Sequence, residues 1–295
     1  MKGKFEVNFA GVISEFERAI QKFQVKRILY KTVFRGKGLE FDSYRDFESD
    51  DDSGMIDWKA SLRGNKLLAK KYVEERDMDI YFFVDVSNSM LFGSGKVLKA
   101  EYAAELIASL SHLIMNSGDN VGLVFFSDKI VKVLRPLRDA NHFGIETSIL
   151  SDAAYYGGGF DFNSAVDFAL KTIVSPSSMI ILVSDFIRMN DKCENHLKLL
   201  AARFETIAIM IRDPFDEELP NVKGQMIVQD PYSGNQMLID PSLIADQYKQ
   251  NALKHKEKII RIFRESGVDF FEINTNKSFI IPFVSFLKRR AGGGI

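Results

Sequence analysis

An acid and two hydroxyls stand at alternate positions in the stretch "YFFVDVSNSM": Asp85, Ser87 and Ser89. Four bulky apolar residues precede them, so the acid falls where a strand ends and the chain turns. There the carboxylate and both hydroxyls can converge on one point. Hard oxygens of this kind suit Mg²⁺ or a similar divalent ion, which demands near-octahedral geometry and usually keeps several waters. A second carboxylate acting through water leaves one coordination position open, and a carboxylate from a partner can fill it. Asp185, in "LVSDF", is the obvious second carboxylate. Ser and Asp are also ordinary turn and helix-cap residues, so the triplet alone is ambiguous. Asp185 at a matching strand end tips the reading towards a site.

The elements that would hold these residues can be read from hydrophobic periodicity. "DIYFFVDV" (79–86), "NVGLVFFSD" (120–128), "MIILVSD" (179–185) and "ETIAIMIRD" (205–213) are continuous apolar runs of strand length. Helix-period segments alternate with them, at 96–118, 162–174 and 195–204. "KIVKVLRP" (129–136) alternates in character and predicts an edge strand. Strands apolar on both faces, interleaved with amphipathic helices, predict an α/β fold: a doubly wound, mostly parallel sheet with helices on both faces. Ligands of such sheets sit at the carboxyl ends of the strands, where Asp85 and Asp185 fall. Further on, "QMIVQD" and "QMLID" flank "PYSGN" and predict a hairpin inserted at about 213–241. A helix over about 242–266, a strand at 268–274 and a helix over about 277–290 follow. Before the sheet, residues 1–78 form an N-terminal extension with one helix over Ser14–Leu29; the main domain spans 79–290.

Composition excludes several classes. The chain is 46% hydrophobic and 27% charged, with a net charge of -1, which offers no global field to nucleic acid. Cys193 is the single cysteine and the four histidines have no metal-type spacing, so neither a disulfide framework nor a zinc motif is expected. The N-terminal stretch makes a poor signal peptide, and no apolar run is long enough for a membrane span. The expectation is a cytoplasmic protein.

"DVSNSM" resembles the Asp-x-Ser-x-Ser signature of the metal-ion-dependent adhesion site (MIDAS) of von Willebrand factor type A domains, and "ILVSDF" their later strand with its distal aspartate. The segment from "GLEFDSYRDF" through "MIDWKASLRG", with "RDPFDEELP", "DPYSGN" and "SGVDFFEINTN", is similar in order to the family called domain of unknown function 58, over roughly residues 35–290. Members of that family typically accompany MoxR-type AAA+ ATPases. The resemblance implies a non-enzymatic adaptor that binds the ATPase, its client protein, or both. Phe160, in "GGGFDFNSAV", stands where A domains place a metal-ligating Thr. Either Asp161 substitutes as a ligand, or the site binds Mg²⁺ or another divalent ion weakly or not at all; Asp161 also reads as the cap of a helix starting near Phe162. Gly157–Gly159 would let this loop come close to Asp85, or only provide a flexible turn.

The expected metal ligands are therefore Asp85, Ser87, Ser89, Asp161 and Asp185. The alternative is a metal-dependent phosphoesterase or phosphotransferase using Asp85. A phosphotransferase of the haloacid dehalogenase type needs a second Asp two residues on, and Ser87 stands there. No Gly-x-Ser-x-Gly elbow follows a strand, and "GSGK" (93–96) lacks phosphate-loop spacing. Glu48–Asp52 reads as a solvated turn. Arg35, Lys37, Arg63, Lys66, Lys70 and Lys71 read as a basic surface, and Arg45, Asp57 and Trp58 as a polar and aromatic anchor of the extension.

Overall fold

The computed structural model describes residues 3–22, 40–47, 56–64, 66–73 and 77–291. The chain divides into two units, one of residues 1–23 and 78–286, the other of residues 24–77 and 287–295. In the larger unit six strands form one sheet: β3 (Asp79–Asp85), β4 (Asn120–Phe126), β5 (Ile130–Leu137), β6 (Met179–Ser184), β7 (Glu205–Arg212) and β10 (Asp269–Asn274). Their order is β10-β7-β6-β3-β4-β5, and all pairs are parallel except β4 with β5. The apolar runs fold this way because central parallel strands are covered on both faces. All six residues of β6 are buried. β5 lies at an edge and alternates in exposure, so Pro136 costs the ladder no essential donor.

Helices Lys99–Asn116, Ala140–Ser151, Phe162–Thr172, Glu194–Arg203, Pro241–Glu265 and Ile280–Ala291 accompany the strands. Ala140–Ser151 has no apolar periodicity to announce it; Asp139 starts it by accepting the His142 amide at 2.8 Å. The helix expected over Ser14–Leu29 runs Phe9–Lys22, and residues 23–29 lie outside the described ones. It lies in the larger unit, where Phe16 sets its ring 5.4 Å from that of Phe283.

The smaller unit contains β1 (Glu40–Asp46) paired antiparallel with β2 (Leu68–Val73), and the helix Trp58–Gly64. Asp57 caps that helix at the Lys59 and Ala60 amides and accepts the Tyr44 hydroxyl. Trp58 is 63% exposed. Glu48–Asp52, Arg35 and Lys37 lie outside the described residues.

A third sheet is the predicted hairpin, β8 (Met226–Gln229) with β9 (Gln236–Ile239), which pair only with each other. Among the described residues no helix is long and apolar enough to cross a membrane.

Helix Lys99–Asn116 is held from behind by a buried acid. Ser111 donates to Glu146 at 2.6 Å, and the other Glu146 oxygen has no hydrogen-bond partner. Burial pushes this carboxyl up to about 8, only partly offset by the Ser111 bond. The folded state therefore holds this proton more tightly than the unfolded chain. The associated stability is complete below the unfolded value of 4.5 and is lost as pH rises through about 8. Thermal unfolding should accordingly give a lower Tm at about pH 9 than at about pH 6. Glu146→Gln is expected to flatten that decline, at about 2–4 °C for each kcal/mol of the effect.

Candidate functional site

Strand order reverses between β3 and β6, and their carboxyl ends form the crevice where doubly wound sheets bind ligands. The register Val84↔Val183 sets Asp85 level with Ser184, one residue before Asp185. Asp85, Ser87, Ser184 and Asp185 are all at most 1% exposed, and Ser89 is 4% exposed. Asp85 accepts the Ser184 hydroxyl at 2.6 Å on one oxygen and the Ser87 amide at 2.8 Å on the other. The Ser87 and Ser89 hydroxyls come within 3.4 Å of each other. Four of the five residues read from the sequence, Asp85, Ser87, Ser89 and Asp185, thus lie at one sheet edge.

Charge decides the state of the two acids. Asp185 receives the Lys99 ammonium at 2.7 Å and the Ile187 amide at 3.0 Å. Lys99, only 1% exposed, also contacts Asp216 at 3.0 Å. Burial pushes Lys99 towards neutrality, but the Asp185 and Asp216 charges outweigh it and hold the ammonium above its ordinary value. Burial likewise pushes Asp185 up, and the Lys99 charge and hydrogen bond bring it below the usual carboxylate range. Asp85 has no such partner: among the described residues no cation lies within ion-pair distance of it. Burial first, and then the Asp185 charge, push it well above the usual range. The chain neutralises one strand-end acid and leaves the other short of a cation.

Asp213, at the end of β7, extends the acidic row. It accepts the Ser94 amide at 2.9 Å and the Thr275 hydroxyl at 3.0 Å, tying down the chain between Ser89 and Lys99. Behind Asp185, Phe186 adopts φ 52°, a left-handed conformation that a bulky residue rarely takes. It is held there by its amide on Ser184 Oγ and its ring 5.0 Å from Phe263.

The glycine loop does approach the strand end. Gly157 donates to the Val86 carbonyl at 2.6 Å, and Asn88 and Gly158 exchange hydrogen bonds at 2.9 and 3.1 Å. Gly157 and Gly158 have φ 129° and 94°, and a Cβ on Gly158 would come 3.1 Å from Asp128 and 3.2 Å from Ser127. Asp161 caps the following helix, accepting the Ser164 amide at 3.1 Å and hydroxyl at 2.6 Å. Phe160 packs on the core with its ring 6.1 Å from that of Phe126.

Two groups that the sequence did not single out complete the site. Lys99 is one. The other is Tyr232 from the hairpin turn, whose hydroxyl lies 2.9 Å from Ser89 Oγ and 3.1 Å from Ser87 Oγ. The Arg188 guanidinium lies over the Tyr232 ring at 4.3 Å, and Asn88 donates to the Pro231 carbonyl at 2.9 Å. "DPYSGN" and "RDPFDEELP" carried the signals for Tyr232 and Asp216, since each motif is polar in composition yet ordered by its own aspartate cap.

The six-stranded, mostly parallel sheet with acids at its switch point is the doubly wound α/β architecture that the sequence predicts. The chain belongs to the family described as protein of unknown function DUF58, whose model matches residues 43–258. It is similar to uncharacterized protein Mb1516 of Mycobacterium bovis, 27% identical over 264 residues, covering 88% of this chain and 82% of the relative. Among solved structures it is similar to conserved hypothetical protein BatB from Bacteroides thetaiotaomicron. The identity is 16% and the TM-score 0.49, over 73% of this chain and 100% of that one. The SpRpn10 VWA domain shares 16% identity at a TM-score of 0.39, over 75% of this chain and 99% of that domain.

Removing the Lys99 charge would strand two carboxylates in the interior. Lys99→Met keeps most of the side-chain volume and is expected to cost about 3–5 kcal/mol in urea unfolding. Adding Asp185→Asn should recover part of the loss, because the pair is energetically coupled.

Proposed function

We propose that this chain is a protein-binding adaptor that docks a partner's carboxylate at the Asp85–Ser89 loop, at a divalent ion of the Mg²⁺ type. The single observation that carries the reading is the imbalance at the switch point. Asp185 has its own ammonium, whereas Asp85 is a fully buried acid with no cation at ion-pair distance among the described residues, beside two converging hydroxyls. Burying an unpaired carboxylate is costly, and a bound cation relieves that cost. Asp85, Ser87 and Ser89 would hold the ion, with Asp185 as the second carboxylate. The donor set is all oxygen and fits a hard cation. When bound, the ion supplies an open coordination position for a carboxylate.

Phe160 packs on the core and offers no ligating atom, and Asp161 serves as a helix cap, so we assign no ligand to the third loop. The site then rests on two loops rather than three, which favours weak binding that a partner's carboxylate completes. Family membership supports an interaction role, and the resemblance noted from the sequence points to a MoxR-type AAA+ ATPase or its client as partner. In that arrangement, motion driven by ATP in the partner reaches this chain through the docked carboxylate. A contact to a partly desolvated ion gives specificity from few atoms.

Calorimetry with Mg²⁺ and Mn²⁺ should detect binding to the wild type and none to Asp85→Asn, which removes the charge and keeps the shape. An affinity capture from the native cell should retain an AAA+ ATPase on the wild type and lose it with Asp85→Asn. Equal retention by both would refute docking at this loop.

A further inference from the structure

The surface above Ser87 and Ser89 has an occupant of its own. Tyr232 reaches both hydroxyls from a hairpin that belongs to neither of the other sheets. Its turn is internally braced. Asp230 accepts the Tyr232 amide at 2.9 Å and the Ser233 hydroxyl at 2.8 Å on its two carboxylate oxygens, and the Gly234 amide on its carbonyl at 2.9 Å. The tip is therefore a preformed unit. Its strands are four residues long, and Ile227, Met237 and Leu238 are 63%, 66% and 59% exposed. A two-stranded ribbon with so little packing has marginal stability by itself. At the loop the tip is held by the Tyr232 hydroxyl, the Arg188–ring contact and the bond from Asn88 to Pro231.

The chemistry of the seat says what would replace the tip. Two serine hydroxyls can both donate, and a carboxylate, with only acceptors, takes both protons; Tyr232 offers one donor and accepts in return. Beside the seat stands Arg188, an exposed cation with no carboxylate within ion-pair distance among the described residues. Its planar fork matches a carboxylate edge-on, a stronger contact than the face of a phenol ring.

Resting on the docking reading above, we infer that the hairpin tip is a built-in competitor for the partner. Tyr232 holds the seat that a partner's carboxylate takes, and Arg188 passes from the Tyr232 ring to that carboxylate when the tip is displaced. Docking and hairpin displacement are then one event. Arg188 then reads the partner's acid, and the hairpin is the element that moves on binding.

The test uses the full chain with Mn²⁺ and acetate as probes. In calorimetry, Tyr232→Phe, which removes only the hydroxyl bonds, and Tyr232→Ala, which empties the seat, are compared with the wild type. Tyr232→Ala should bind Mn²⁺ about five-fold or more tightly than the wild type, the worth of about one neutral hydrogen bond, with Tyr232→Phe between them. In parallel the chain is labelled with 3-fluorotyrosine, and the Tyr232 resonance is identified by its loss in Tyr232→Phe. With Mg²⁺ present, acetate should move that resonance to the position of a solvent-exposed tyrosine. Arg188→Gln should raise the acetate concentration required several-fold. Equal Mn²⁺ affinity in all three chains, with a Tyr232 resonance that ignores acetate, overturns the inference and leaves the docking reading intact. No Mn²⁺ binding by any of the three overturns both.

Discussion

Everything at the switch point is arranged around the ammonium of Lys99. Parallel strands that end together bring their terminal residues to one edge, and here these are acids: Asp85, Asp185 and Asp213, with Asp216 close behind. Like charges in a water-poor crevice repel, and each resists burial. One buried lysine, delivered by the first turn of a helix, is shared by Asp185 and Asp216. The placement of that helix is thus a precondition of the site. Its contacts to Glu146 behind and to the chain pinned by Asp213 in front are structural supports for that geometry.

Hydrophobic pattern showed most of the sheet, because strands buried on both faces leave no room for polar residues. β3, β4, β6 and β7 lie within one or two residues of their expected bounds, and the alternation of β5 marked it as an edge. The hairpin was legible from its turn residues. The helix Ala140–Ser151 was not, since Asn141, Gly144 and Thr147 weaken its pattern and its start depends on a single aspartate cap. The smaller unit's strands carry too little apolar signal to stand out: "EFDSYRD" is mostly polar.

The same contrast applies to the site. Asp85, Ser87, Ser89 and Asp185 were visible because a strand end fixes where they go. Lys99 was not, because a lysine at the start of an amphipathic helix looks like any solvated one, and only the tertiary fold reveals its two carboxylate partners. Tyr232 lies 143 positions beyond Ser89 along the chain, and no local rule connects a hairpin turn to a distant strand end. Phe160 was noticed as a departure, and its packing on the core shows why it stands there: the third loop contributes to the interior instead.

Because β8 and β9 exchange hydrogen bonds with no other strand, the register of the central sheet is indifferent to what the hairpin contains. Lengthening a surface excursion of this sort costs little in closure entropy. The hairpin and the scaffold are therefore separable parts: a change of turn sequence alters what covers Ser87 and Ser89, while the interior that shapes the strand ends goes untouched.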